Sequence, residues 1–96
     1  VEIQVWNVSA YNFEEIVVMQ TSYGDVAAGQ KSTFQYFQGA YGYAYIELLI
    51  DGKKYKIQPD DYIGAKLLSG GRYIYAIDAN DSDETFRRLS MKLLKP

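Results

Sequence analysis

The chain has no cysteine, no histidine and only 2 prolines in 96 residues. Without thiols there are no disulfides, no thiolate metal sites and no thiol nucleophile, and without imidazole the usual general base at neutral pH is missing. Most enzyme templates fail at the level of residue type. Charge of one sign is lacking too: 10 basic side chains stand against 12 acidic ones, so no broad basic surface is available to neutralise phosphates and nucleic acid is not an expected partner. No run of 18 apolar residues occurs, which removes a membrane-spanning helix. The first residues are already strand-like rather than signal-like, so any targeting segment is expected to have been removed.

What is present is apolar material in short alternating runs. At 48% hydrophobic residues the chain has enough to build a core, and at this length about 60 to 65% of the unfolded surface can be buried, which supports one domain over residues 1–96. No helical spacing persists for three turns, whereas period-two alternation recurs between glycine and aspartate punctuation; the chain reads as all-β. Val1, Ile3 and Val5 share one face of a first strand, with Glu2, Gln4 and Trp6 on the other. Residues 9–12 form a turn-prone gap. A β-branched run over 16–21 reads as a second strand, expected to pair antiparallel with the first. Tyr23-Gly24-Asp25 and Ala28-Gly29 read as a long connection with two places for a positive φ, and alternation resumes over 32–37.

Asp51-Gly52 between two alternating runs favours a two-residue type I′ hairpin, which sets register. Leu48 then faces Tyr55 and Ile46 faces Ile57 on an apolar side, with Glu47 against Lys56 and Leu49 against Lys54 on the other. Pro59 ends that strand. Residues 60–71 read as a connection, with one short turn over 60–64. Strands follow over 72–78 and, after an acidic loop at 80–84, over 86–94, where Leu89, Met91 and Leu93 share a side. Seven short strands at this spacing predict an antiparallel β-sandwich, immunoglobulin-like in the first instance, with a small open barrel as the alternative.

Ten tyrosines are a heavy use of a side chain that joins apolar area to a hydrogen-bonding tip. Extending the hairpin register backward puts Tyr41, Tyr43 and Tyr45 on the face of Glu47, Lys54 and Lys56, a candidate platform for a sugar ring or a protein partner. The competing expectation is a bulge at Gly42, with the rings capping the sandwich edge or packing on Tyr73 and Tyr75. Asp78, Asn80, Ser82 and Glu84 place oxygens at alternate positions, as a calcium loop begins. The loop's glycine is absent, Asp83 standing there, and Leu89 falls where a bidentate glutamate is needed, so a solvated acidic loop is expected instead of a metal site. Asp60 and Asp61 are adjacent in a turn and are expected to cap it. Lys53, Lys54 and Lys56 by the hairpin, and Arg87 and Arg88, are candidate anion contacts or simple edge protection. Asn7-Val8-Ser9 and Asn80-Asp81-Ser82 match the glycosylation acceptor pattern. No cofactor motif is present.

Further residues carry a family likeness: Tyr23-Gly24-Asp25-Val26, Gly29, Ser32, Phe37, Ala40-Tyr41, Tyr43-Ala44, Ile50-Asp51-Gly52-Lys53, Tyr55, Gln58-Pro59, Asp61-Tyr62-Ile63-Gly64, Gly71, Tyr73 and Tyr75. In order and spacing the stretch over 23–77, more than half of the chain, resembles small modules of secreted lipoproteins of the Bacteroidetes type; Asp60 departs from that pattern, an apolar residue standing there more often. The resemblance implies an immunoglobulin-like or transthyretin-like sandwich, export to the periplasm or cell surface, and a membrane tether through a lipidated cysteine upstream of these residues. It implies no catalytic residue. The expected function is a non-enzymatic interaction or spacer module for a protein or glycan, with homodimerisation through sheet edges or the tyrosine strip as a further expectation.

Overall fold

The hairpin forms as its turn chemistry demands. In the computed structural model, which describes residues 1–59 and 67–96, Asp51 and Gly52 have φ of 51° and 78°, both left-handed as a type I′ turn requires. They join β5 (Ile46–Ile50) to β6 (Lys53–Ile57). Every expected cross-strand pair is observed, Ile46 with Ile57, Glu47 with Lys56, Leu48 with Tyr55 and Leu49 with Lys54. On the charged side Glu47 pairs with Lys54 at 3.6 Å and Lys56 at 3.5 Å. The expected short turn over 60–64 and the Asp60/Asp61 pair lie outside the described residues.

The remaining strands are β1 (Glu2–Asn7), β2 (Phe13–Val18), β3 (Thr21–Val26), β4 (Lys31–Tyr36), β7 (Arg72–Ala79) and β8 (Leu89–Leu94). They form two four-stranded sheets, β4-β1-β7-β8 and β3-β2-β5-β6. The all-β sandwich is as expected, with eight described strands in place of seven. Its strand order differs from that of constant-type immunoglobulin domains, where the first strand lies beside the second. Here β1 pairs antiparallel with β4 and parallel with β7.

Three sequence expectations are corrected. The second strand does not pair with the first; β2 lies in the opposite sheet between β3 and β5. Asn7, at the end of β1, is fully buried, and its amide donates to the carbonyls of Tyr11 at 2.7 Å and Val26 at 3.0 Å. The chain is thereby held across the gap between sheets, where a turn within one sheet was expected. The expected connection around Tyr23-Gly24-Asp25 is instead β3, with Gly24 at φ 70° in an irregularity of the β2–β3 ladder. A two-residue turn at Met19 and Gln20, with φ of 47° and 71°, joins β2 to β3 and cuts the expected run over 16–21 short.

Alternation delivers the core from both sheets. Ile3 and Val5 on β1, with Tyr75 and Ile77 on β7, meet Phe13, Ile16 and Val18 on β2 and Ile46 and Leu48 on β5. Phe13 and Ile16 are three apart, yet both point inward because Glu15, at φ 50°, takes up the extra residue in a ladder irregularity. Each such apolar side chain contributes roughly 1.5 to 3 kcal/mol by burial. Leu89, Met91 and Leu93 close the core from β8 on their shared side. That strand begins at Leu89, so Arg87 and Arg88 precede it and do not open it.

Candidate functional site

The three expected platform tyrosines do not stand on one strand. Ala40 and Ala44 point inward and are fully buried, as the backward register requires. The backbone bends at Gly42 and Tyr43, however, and the β5 ladder starts only at Ile46. Tyr41 is half-buried in an isolated bridge with Leu67, and its carbonyl accepts the Tyr75 hydroxyl. Tyr43 is half-buried as well, and only Tyr45 is exposed. Tyr45 borders a shallow depression of about 430 Å³ with Val17, Met19, Gln20 and Glu47, and its carbonyl accepts the Met19 N–H at 2.9 Å. The bend, not the parity of the pattern, breaks the strip.

Three of the candidate oxygens of the acidic loop are turned to its own backbone. Asp78 Oδ1 accepts the Ala79 N–H at 2.8 Å, Asn80 Oδ1 accepts the Ser82 N–H at 2.8 Å, and Ser82 Oγ accepts the Glu84 N–H at 3.1 Å. Glu84 pairs with Arg87 at 3.5 Å. Among the described residues no group of three or more Asp or Glu side chains is placed to hold a metal ion. Asp78, Asn80 and Ser82 are spent on the loop's own backbone, and Glu84 on Arg87. That loop lies along β6, where Thr85 O accepts the Lys56 N–H at 2.8 Å and Asp83 O accepts Lys53 Nζ.

A different aromatic surface emerges on the outer side of the first sheet. Pairing of Glu2 with Tyr36 and Gln4 with Phe34 puts these side chains and Trp6 on the face turned away from the core. Tyr36 is 71% exposed, and Phe34 and Trp6 are half-buried. The Arg72 guanidinium sits 4.6 Å from the Phe34 ring centre and pairs with Glu2 at 3.1 Å, while Lys31 Nζ lies 4.6 Å from the Trp6 ring centre. Cations over ring faces at this range are attracted by the ring quadrupole. Phe34 and Tyr36 were legible only as the third strand's alternation. Nothing in the sequence placed that strand beside Trp6, because the β1–β4 pairing spans some thirty residues.

Two further side chains are tightly placed. Arg88 lies between Tyr11 and Tyr55, 4.5 and 4.8 Å from the ring centres, and donates to the Tyr55 hydroxyl at 2.9 Å; its Nε is buried and makes no hydrogen bond among the described residues. Tyr23 donates to the Ile3 carbonyl at 2.8 Å, and burial, with the neighbouring Tyr75 phenol, pushes its pKa well above the ordinary tyrosine range. Comparison with protein-family models, curated proteins and solved structures found no match for this chain.

Proposed function

We propose that the chain is a non-enzymatic protein-interaction module that works outside the cytoplasm, held at the membrane through a lipidated cysteine upstream of these residues. The single observation that carries the interaction reading is the Trp6, Phe34 and Tyr36 surface with Arg72 at its side. Trp, Tyr and Arg are the residue types that dominate protein contacts, and they are grouped here on one sheet face. A protein partner is favoured over a glycan because Arg72 and Lys31 already occupy the ring faces that a sugar would stack upon. The finer fold assignment we favour is transthyretin-like, since β1 lies beside β4 and β7 and not beside β2. Location outside the cytoplasm rests on the resemblance of residues 23–77 to exported modules.

A photo-crosslinking residue at Tyr36, with one at Lys54 on the opposite sheet as control, tests the reading in a cell-envelope preparation. Adducts from position 36 and none from position 54 are expected. Equal yields, or none from position 36, would overturn it.

A further inference from the structure

We propose that the partner of this surface is a second copy of the chain, joined edge to edge through β4 in antiparallel register centred on Gln35. The proposal rests on the interaction reading above and names its occupant. Val1 and Phe37 exchange both backbone hydrogen bonds, at 3.0 and 2.8 Å. Bonded and non-bonded pairs alternate in an antiparallel ladder, so Ile3 and Gln35 are the next bonded pair. The N–H and C=O groups of Phe34 and Tyr36 consequently point away from β1 along the sheet edge, where no backbone partner meets them among the described residues.

The other three edges are blunted. On β6 the outward Lys56 N–H is taken by Thr85 O. The β3 edge is broken by the irregularity at Gly24, and β8 carries exposed Lys92 near its middle. A charged, bulged or covered edge resists pairing. On β4 the bulge and the exposed Lys31 are confined to its first residues, and Phe34-Gln35-Tyr36 beyond them has no charge, no proline and no glycine.

A twofold axis through Gln35 makes this edge complementary to itself. Phe34 then meets the partner's Tyr36 and Tyr36 meets the partner's Phe34, as two bonded pairs whose four backbone hydrogen bonds use every outward group of those residues. The same operation sets ring against ring on the outer face, where aromatic cross-strand pairs are favourable, and covers a Tyr36 ring that is 71% exposed in one copy. Moving the axis to Phe34 would instead pair Tyr36 with the partner's Ser32, at the irregular end of the β1–β4 ladder.

Sedimentation equilibrium of the whole chain across a hundredfold concentration range tests the idea. The expected mass rises from 11.0 kDa towards twice that value. Tyr36→Pro deletes one outward N–H without touching the β1 ladder and is expected to stay monomeric; Tyr36→Lys, which keeps the backbone, is the check should the proline variant misfold. Gln35→Cys introduces the chain's single thiol at a non-bonded pair with Cα atoms about 4.5 Å apart. It should give a disulfide dimer on mild oxidation, whereas Lys54→Cys should not. A monomer at every concentration overturns the second copy as partner, and a dimer that persists in Tyr36→Lys overturns the β4 edge as the place where the copies join. Adducts from position 36 that contain only other proteins overturn this inference while leaving the interaction surface standing.

Discussion

Asn7 and Ser9 hold one another through a single oxygen: Asn7 Oδ1 accepts the Ser9 N–H at 2.9 Å and the Ser9 hydroxyl at 2.6 Å. The Asn7 amide is spent on the carbonyls of Tyr11 and Val26, so a fully buried carboxamide is satisfied at both ends. This bracket fastens the end of β1 to the crossing segment and to the end of β3.

Asn7→Ala is expected to lower stability by about 2 to 4 kcal/mol, because it strands the Val26 carbonyl and the Ser9 N–H at a buried site and takes one of two donors from the Tyr11 carbonyl. Ser9→Ala, which leaves the amide bonds intact, should lose only about 1 kcal/mol. Urea denaturation of both variants measures this, and equal effects would refute the ranking. The same burial predicts that, in a eukaryotic secretory host, the acceptor pattern at Asn7 stays unglycosylated in folded protein while exposed Asn80 is open to modification; mass spectrometry of the expressed protein reads this directly.

The Met19-Gln20 turn places two residues with ordinary side chains at positive φ. Replacing the pair with Asn-Gly, the sequence such a turn prefers, is expected to raise stability by roughly 1 to 2 kcal/mol, since each left-handed residue other than glycine or asparagine is strained. An unchanged thermal midpoint would show that the strain is absent.

Arg88 is held by two rings and a hydroxyl. Arg88→Lys is expected to lose about 1 to 2 kcal/mol and to recover little over Arg88→Met, because an ammonium lacks the planar fork that stacks and donates together. Full recovery by lysine would reduce the contact to simple charge.

Alkaline titration followed by phenolate absorbance should find Tyr23 still protonated above about pH 10. The folded pKa is raised, so the stabilisation is fully present below the unfolded value of about 10 and is lost as pH rises beyond it. Tyr23→Phe should flatten the fall in stability above about pH 10. A fall of unchanged slope would assign the alkaline limit to other groups.

What the sequence determined by itself is local. Asp51-Gly52 specified a turn and, through it, every pair of the β5–β6 hairpin, because a two-residue loop with both φ positive admits one register. Alternation assigned inner and outer faces along β1, β5, β6 and β8, and placed Trp6 with Glu2 and Gln4. The Met19-Gln20 turn was invisible, since neither residue type favours positive φ and only the surrounding ladders hold it there. Beyond that hairpin, which strands became neighbours was decided by the tertiary structure. Period-two patterning marks a face but carries no label for a partner, so it could not show β1 leaving β2 for β4 and β7; Gly42 offered a break in the strip from sequence, and only the fold decided that it separates Tyr45 from Tyr41 and Tyr43. The grouping of Trp6 with Phe34 and Tyr36 is likewise a product of long-range pairing, in which burial of Ile3, Val5, Tyr75 and Ile77 on one side of the sheet leaves those rings on the other.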